Sequence, residues 1–366
     1  MAKLSDLLPA IENFEIDEKF LTLYRQSFKS IIRDEDPEHL EKLVSENPES
    51  FYFFAPLLVG SWFENNKIQE IFNFLSTVDL YGQDRTFDFF VGKLVKYFYL
   101  SIKHLGGDIT PIYKILCTNR EYGNKYTIAI ATNSILEYQI NSHIYEIIDE
   151  EINDKSERCK YTFYLGFIYL VRGDYSMAMK YLDESDILNT KQTLALLIKK
   201  CTIVCKLHLG DFSIFYPYQN QLKPYFSLIG CVKRGDVKAF YLHLEDQQSE
   251  YLSNNLYFVV RRLLKNIVRV GLRKVAICYS RIQVADISDI LGFNVEFILY
   301  KAIKDGEVKG FVQDGIFYSQ QENLNKFQCG DQLKEVINVR KQIQSMMKYP
   351  EIEPLTYEKV ISSENK

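Results

Sequence analysis

The sequence has none of the residue arrangements that usually carry catalysis. There is no glycine-rich loop to cradle phosphates, no His-Glu-x-x-His pair and no Gly-x-Ser-x-Gly elbow. The five histidines, His39, His104, His143, His208 and His243, lie far apart. Paired histidines with a distant acid, the pattern of a metal-dependent deubiquitinase, are missing as well. The expectation is a protein that is not an enzyme and has no cofactor. Apolar runs are short: the longest uncharged one, residues 51–63, cannot span a bilayer and suits a buried helix. Residues 1–10 lack a basic start followed by an apolar core. The seven cysteines stand singly along the chain, which reads as reduced thiols in the cytoplasm or nucleus. A formal net charge of −4 argues against a general nucleic-acid binder, which is usually basic. Tryptophan is nearly absent, with Trp62 alone against 26 tyrosines and 25 phenylalanines; those rings are expected to thicken helix–helix packing.

What is present is helical periodicity. Phe20, Leu21, Tyr24, Phe28, Ile31 and Ile32 form one apolar face, stopped by Asp34-Glu35-Asp36 with Pro37 beyond. Phe87, Phe90, Val91, Leu94 and Phe98 form another, and helical patterns continue over 128–138 and 144–152. Short breaks between such patterns imply antiparallel helices stacked in a solenoid. One unit shows its repeat: Leu165, Gly166 and Tyr169, with Ala178 and Leu182, have tetratricopeptide-repeat spacing. Gly166 and Ala178 would let two helices approach, Tyr169 would fill the groove between neighbouring pairs, and Gly173 would break the chain.

The pattern changes after residue 222. Leu256, Val260, Leu263, Ile267 and Val270 share a helical face, and Gly271 sits where a terminating glycine would. Val275 to Tyr279 is β-branched and short, predicting a strand. Compact helices are expected over 284–291, closed by Gly292, and 295–305, closed by Gly306. Asp314-Gly315 between Val308–Val312 and Ile316–Tyr318 is a strong hairpin signal. Strand, helix, helix, hairpin describes a winged helix. Beyond residue 330, Val336, Val339, Ile343 and Met346 are spaced as a coiled-coil seam, flanked by Leu333, Ile337 and Met347, and Pro350 ends the helix.

These residues resemble the PCI domain, a helical module ending in a winged helix that is found in the proteasome lid, the COP9 signalosome and translation initiation factor 3. Within it they are similar to one lineage, the non-ATPase subunit 3 family of the 26S proteasome regulatory particle. The carrying residues are Pro224-Tyr225-Phe226, Arg262, Asn266, Gly271, Arg273, Tyr279-Ser280-Arg281-Ile282, Ala285-Asp286-Ile287, Glu296-Phe297, Lys301-Ala302-Ile303 and Asp305-Gly306. Upstream, Tyr164-Leu165-Gly166, Asp174-Tyr175-Ser176 and Ala178 agree. Gln283 departs from the serine usual at that helix cap, so the cap should be weaker, and the chain is shorter than the family norm. The expected fold is all-α dominated. A tetratricopeptide-like solenoid spans 1–221 and a PCI domain 222–327, helical to 271 and winged from 272. A bundle helix over 330–349 and a polar tail over 350–366 follow.

The resemblance implies non-catalytic scaffolding. PCI subunits would line up through their winged helices, and their C-terminal helices would join a bundle that includes the deubiquitinating lid pair. A small acidic tether subunit would be a further partner, and no membrane is implied. Phe311, Phe317 and Tyr318 on the hairpin are the expected winged-helix contacts. Lys199 and Lys200, with Lys191 and Lys206, would offer the tether a basic groove. The alternatives are a signalosome or initiation-factor subunit, or an RNA-binding PCI protein of messenger-RNA export. The second winged helix carries only Lys301 and Lys304 beside Glu296 and Asp305, which favours protein over nucleic acid. Arg261, Arg262, Lys265 and Arg269 form a basic stripe extended by Arg273 and Lys274. It reads as a structural or solvated face, a site for an acidic partner, or an RNA contact; Arg262 and Arg273 would most simply join the helical and winged halves. Cys201, Cys205 and His208 share a helix face with zinc-ligand chemistry, but no fourth ligand is evident, and packed apolar cysteines are the simpler reading.

Overall fold

A computed structural model describes residues 4–12, 17–81, 85–189, 192–214, 220–320 and 336–344. The chain divides into two compact units, Met1–Ile267 and Val268–Lys366.

Among its described residues the regular elements of the first unit are all helices. Several of its helices start where the sequence supplies a cap. The Asp17 carboxylate accepts from the Phe20 amide at 2.6 Å ahead of Glu18–Asp34, and Asp36 accepts from Glu38 at 3.2 Å where Pro37 opens the next helix. Asp154 caps Lys155–Arg172 through the Ser156 and Glu157 amides, at 3.0 and 3.1 Å. The core of the first half is aromatic, as the composition implies. Phe53 and Tyr24 meet the Phe90 ring edge-on at 4.8 and 5.0 Å, and the Tyr24 hydroxyl donates to the Phe53 carbonyl at 2.9 Å. The uncharged run becomes Phe51–Glu64, buried from Phe53 to Trp62.

The repeat motif forms the hairpin Lys155–Arg172 and Tyr175–Leu188, broken at Gly173 with φ of 94°. A β-carbon on Gly166 would lie 2.9 Å from Leu182 Cγ and 3.2 Å from the Leu182 amide nitrogen, which is why the position holds glycine. Tyr169 stacks on Tyr181 at 5.4 Å, so it fills space within its own hairpin rather than between neighbouring pairs. Residues 144–152 are not helical. Their carbonyls are taken by side chains instead: Tyr161 donates to Ile148 at 2.8 Å and Arg172 Nε to Tyr145 at 2.9 Å. Those bonds compete with a helical ladder, and apolar spacing alone did not reveal them.

The expected helix over 256–270 is divided into Tyr257–Arg262 and Leu264–Cys278. The latter runs through Gly271 and takes up the residues expected as a strand. Val268, Leu272, Val275 and Ala276 are all buried, at spacings of four, three and one, so a helical apolar face outweighs the β-propensity of Val275–Tyr279.

In the second unit the strand falls later, at β1, Arg281–Gln283. Helices Val284–Leu291 and Glu296–Lys304 follow, then β2, Gly310–Gln313, and β3, Ile316–Ser319. The sheet is antiparallel in the order β1-β3-β2, with Ile282 opposite Phe317 and Phe311 opposite Tyr318. Asp314 and Gly315 have φ of 53° and 74°, both left-handed, as a two-residue hairpin turn requires. Gln283 precedes Val284–Leu291 without a side-chain capping bond, matching the weaker cap expected of it. The fold is a helical-repeat array followed by a winged helix.

The Gly166 contact yields a paired test. Gly166→Ala should destabilise by about 1 kcal/mol or more, because overpacking outweighs the helix propensity gained. Gly230→Ala, where nothing lies within 4 Å of the added carbon, should be neutral or stabilise by up to about 1 kcal/mol. Urea denaturation of both variants reads the difference, and equal effects would refute the close-approach argument.

Candidate interaction surfaces

On the winged helix, strand order decides which residues reach the surface. Because β3 lies between β1 and β2, Phe317 is only 1% exposed and faces Ile282 and Val312 in the sheet. Phe317 is therefore core, and its expected role as a surface contact is corrected. Phe311, on edge strand β2, is 45% exposed and stacks on Tyr318 at 5.1 Å. The Arg281 guanidinium lies 5.9 Å from the Tyr318 ring on the β1 side. Tyr279, Arg281, Gln283, Asp286, Ile290 and Ile316 line an open depression of about 480 Å³ along β1. Tyr279 and Arg281 thus share one surface with Asp286.

The helix Glu296–Lys304 carries a surface that the sequence reading missed. Leu299 and Ala302 are buried, while Phe297 is 78% exposed and Tyr300, Lys301 and Lys304 are exposed with it. Spacings of three, one and three place the four on one stripe. The signal was readable as a second apolar phase, offset from Leu299 and Ala302.

The basic stripe divides into separate duties. Arg262 Nη2 donates to the Val171 carbonyl at 2.6 Å, so it ties its helix to the repeat hairpin. Arg269 pairs with the Glu307 carboxylate at 2.7 Å, and Arg273 donates to the Glu307 carbonyl at 3.2 Å. Glu307 thus holds one arginine by the charge of its carboxylate and another through its backbone carbonyl, which secures the approach to β2. The expectation that Arg262 and Arg273 together join the helical and winged halves is corrected: each has a partner within its own unit. Arg261 and Lys265 are exposed. Gly271 is buried inside its helix rather than at a terminus.

The expected basic groove is also revised. Lys200 is buried, with Nζ 2.7 Å from Glu250 Oε1 and 5.8 Å from the Tyr225 ring centroid. It holds Gln192–Leu209 against the helices that follow and cannot line an open groove. Lys199 is half-buried, and Lys191 lies outside the described residues. On the same helix Cys201 and Cys205 are buried, which pushes both thiols up to about 12. Cys205 Sγ lies 3.1 Å from the Tyr175 carbonyl. His208 stacks on Tyr175 at 4.1 Å, with Nε2 3.0 Å from the Val259 carbonyl. Cys205 and His208 therefore point to backbone oxygens, as packed residues do. Among the described residues no group of three or more His, Cys, Asp or Glu side chains is placed to hold a metal, and no helix is long and apolar enough to cross a membrane.

Residues 336–344 are helical and exposed throughout. Val336, Val339 and Ile343 of the expected seam stand at 67%, 52% and 54% exposure. Leu333, Met346 and Met347 lie outside the described residues.

Comparison with known proteins places this geometry. The PCI domain family matches residues 241–320. The 26S proteasome regulatory subunit RPN3 of Encephalitozoon cuniculi (strain GB-M1) is 38% identical over 366 residues, which covers 98% of this chain and 97% of that protein. The 26S proteasome non-ATPase regulatory subunit 3 homolog B of Arabidopsis thaliana is 28% identical over 61% of this chain and 51% of its own length. The 26S proteasome non-ATPase regulatory subunit 3 of Dictyostelium discoideum is 24% identical over 60% and 47%. The match thus spans about half the length of the plant and amoebal relatives.

Two outcomes follow from this geometry. Burial pushes the His208 imidazole from near 6.5 down to about 4, against the pull of the Val259 carbonyl and with help from Arg262. The unfolded chain then binds the proton more readily, so this contribution is full above about pH 6.5 and is lost as pH falls towards 4. It amounts to at most about 3 kcal/mol. His208→Gln keeps an N–H donor without the titration, and its stability should fall less steeply than wild type over that window in denaturation series. Equal slopes would remove His208 from the account. On the wing, Phe311→Asp should leave the thermal transition within about 3 °C of wild type, since Phe311 is already partly solvated. Phe317→Asp places a lone carboxylate in the sheet core and should unfold the wing. Near-ultraviolet circular dichroism distinguishes the two, and a folded Phe317→Asp wing would contradict the assignment.

Proposed function

Because the chain belongs to the family of the 26S proteasome regulatory subunit RPN3, we propose that it is a scaffold subunit of the proteasome regulatory-particle lid and supports ubiquitin-dependent protein degradation. The observation that carries this reading is identity of 38% extending over 98% of the chain. That span takes in the repeat hairpin as well as the winged helix, whereas a shared PCI domain alone would cover only residues 241–320.

The chemistry of the surfaces supports assembly as the work done. The exposed features are apolar and aromatic side chains on regular elements, suited to packing against other proteins. In the proposed arrangement Phe311 on the β2 edge contacts a neighbouring PCI subunit, since an open strand edge with an exposed aromatic favours a protein partner. The seam Val336, Val339 and Ile343, with Met346 in sequence beyond it, enters a helix bundle shared with other lid subunits, including the deubiquitinating pair. An isolated helix is marginal in water, and its apolar side gains stability only when covered. The small acidic tether subunit is a further proposed partner; with Lys200 paired to Glu250, a basic groove for it would not include that lysine. The complex would act in the cytoplasm and nucleus.

Affinity purification of the tagged chain, followed by mass spectrometry, tests the reading. Regulatory-particle subunits should co-purify in near-equal amounts. Signalosome subunits, initiation-factor subunits or messenger ribonucleoprotein in their place would overturn it. Truncation after Gly330 should abolish that co-purification while shifting the thermal midpoint of the isolated chain by no more than about 2 °C. Ile343→Asp should act in the same direction, because a carboxylate cannot be buried cheaply in a bundle. Full incorporation of the truncated chain would remove the bundle from the proposal.

A further inference from the structure

The first unit contains a cationic cluster that the scaffold reading does not use. Lys93 and Lys96 stand three residues apart on the helix Asp88–Leu105, Arg25 comes from Glu18–Asp34 and Lys160 from Lys155–Arg172. Two of the cations lie on rings. The Arg25 guanidinium lies 4.6 Å from the Phe89 centroid and 5.9 Å from that of Tyr126, while Lys93 Nζ lies 5.4 Å from Phe89 and 5.2 Å from Phe28. Phe89 packs on Tyr126 at 4.9 Å, so the walls belong to the packed core.

The carboxylates nearby are already engaged. Asp88 accepts from the Tyr126 and Thr127 amides, both at 2.8 Å. Asp154 accepts the helix-capping amides and reaches Arg25 only at 3.9 Å. Glu157 is held by Lys160 at 2.6 and 2.8 Å and by Asn133 at 2.9 Å. Among the described residues no carboxylate lies at ion-pairing distance from Lys93. Burial, then the charges of Lys96, Arg25 and Lys160, bring its amine down to about 8, with Glu157 opposing. A half-buried ammonium that faces like charges and aromatic rings destabilises the fold unless an anion completes it.

We propose that Arg25, Lys93, Lys96 and Lys160 form a binding site for a small polyphosphate anion. The site offers cations from three helices beside the Phe28, Phe89 and Tyr126 rings. That suits a compact ligand carrying several charges, and the guanidinium fork beside ammonium point charges is the combination that holds phosphate oxygens. A carboxylate-bearing peptide spreads its charges over a longer chain and would engage fewer of the four at once.

Sodium tripolyphosphate is the probe, titrated into the full-length chain by calorimetry at pH 8 and about 150 mM salt, in buffers of different ionisation enthalpy. Saturable one-site binding should take up roughly half a proton more than in Lys93→Arg, because the anion restores the Lys93 charge while the proton the ligand itself releases is common to both. Lys93→Met should weaken binding about tenfold or more and abolish the extra uptake. Lys93→Arg should keep the binding yet lose the extra uptake, since arginine is charged throughout. Lys42→Met, at an exposed position elsewhere, should match wild type; far-ultraviolet circular dichroism confirms each variant folded. Absence of saturable binding, the same proton linkage in wild type and Lys93→Arg, or equal affinity in folded Lys93→Met would each overturn the proposal. So would a glutamate-rich peptide that binds with the same proton linkage where tripolyphosphate does not, which would assign the cluster to an acidic protein partner.

Discussion

No helix of the first unit can bury its apolar surface alone, and that constraint governs the rest of the molecule. The helix Asp88–Leu105 buries residues from Phe89 to Ile102 on most of its circumference, and Lys125–Asn141 does the same from Thr127 to Ile140. Neither is amphipathic in the ordinary sense, so each must have neighbours on more than one side. Stacking of helical hairpins answers that requirement, because every pair covers the next and only the ends of the stack keep an open face. Gly166 shows how finely the approach is set: the side of Leu182 occupies the place where a β-carbon would be.

Close stacking then dictates how polar groups are treated inside. Asp88 opens one helix while its carboxylate accepts the first amides of another, so one acid serves two helix starts that would otherwise hold unpaired donors. Glu157 collects Lys160 and Asn133 in the same way, and Lys200 is neutralised by Glu250. Removal of one partner from such a pair costs more than the pair contributes, since the remaining charge is stranded in a poor solvent. Lys93 is the exception. Its aromatic surroundings stabilise an ammonium only partly, and the cations around it work against it.

Much of this was legible in the sequence, for reasons tied to particular residues. Asp314-Gly315 announced the hairpin because few dipeptides accept two left-handed positions in succession. Gly173 and Gly292 marked helix ends, and the aromatic-rich composition foretold the aromatic core. Local signals failed where a longer-range contact decided the outcome. Val275–Tyr279 has strand propensity, but Leu272, Val275 and Ala276 continue the buried face begun at Val268, and Gly271 is tolerated inside that helix. Ile144–Ile152 has helical spacing, yet Tyr161 and Arg172 capture its carbonyls from a helix later in the chain. Phe317 reads as one more exposed hairpin aromatic until the order β1-β3-β2 makes its strand central. Lys200 could not be told from a surface lysine without Glu250, fifty residues away in sequence.

The second unit keeps apolar surface in water on its regular elements. Phe297 and Tyr300 on one helix, Phe311 on the sheet edge and Val336, Val339 and Ile343 on the helix 336–344 are all exposed. Scattered apolar residues need no explanation, but aromatic side chains aligned on regular elements are the usual mark of an interaction surface. Covering one large side chain contributes about 1.5–3 kcal/mol before the cost of association is subtracted. A single such residue would therefore hold a partner weakly. Several on elements of fixed geometry can outweigh the loss of rotational and translational freedom, because that loss is incurred once for the whole surface.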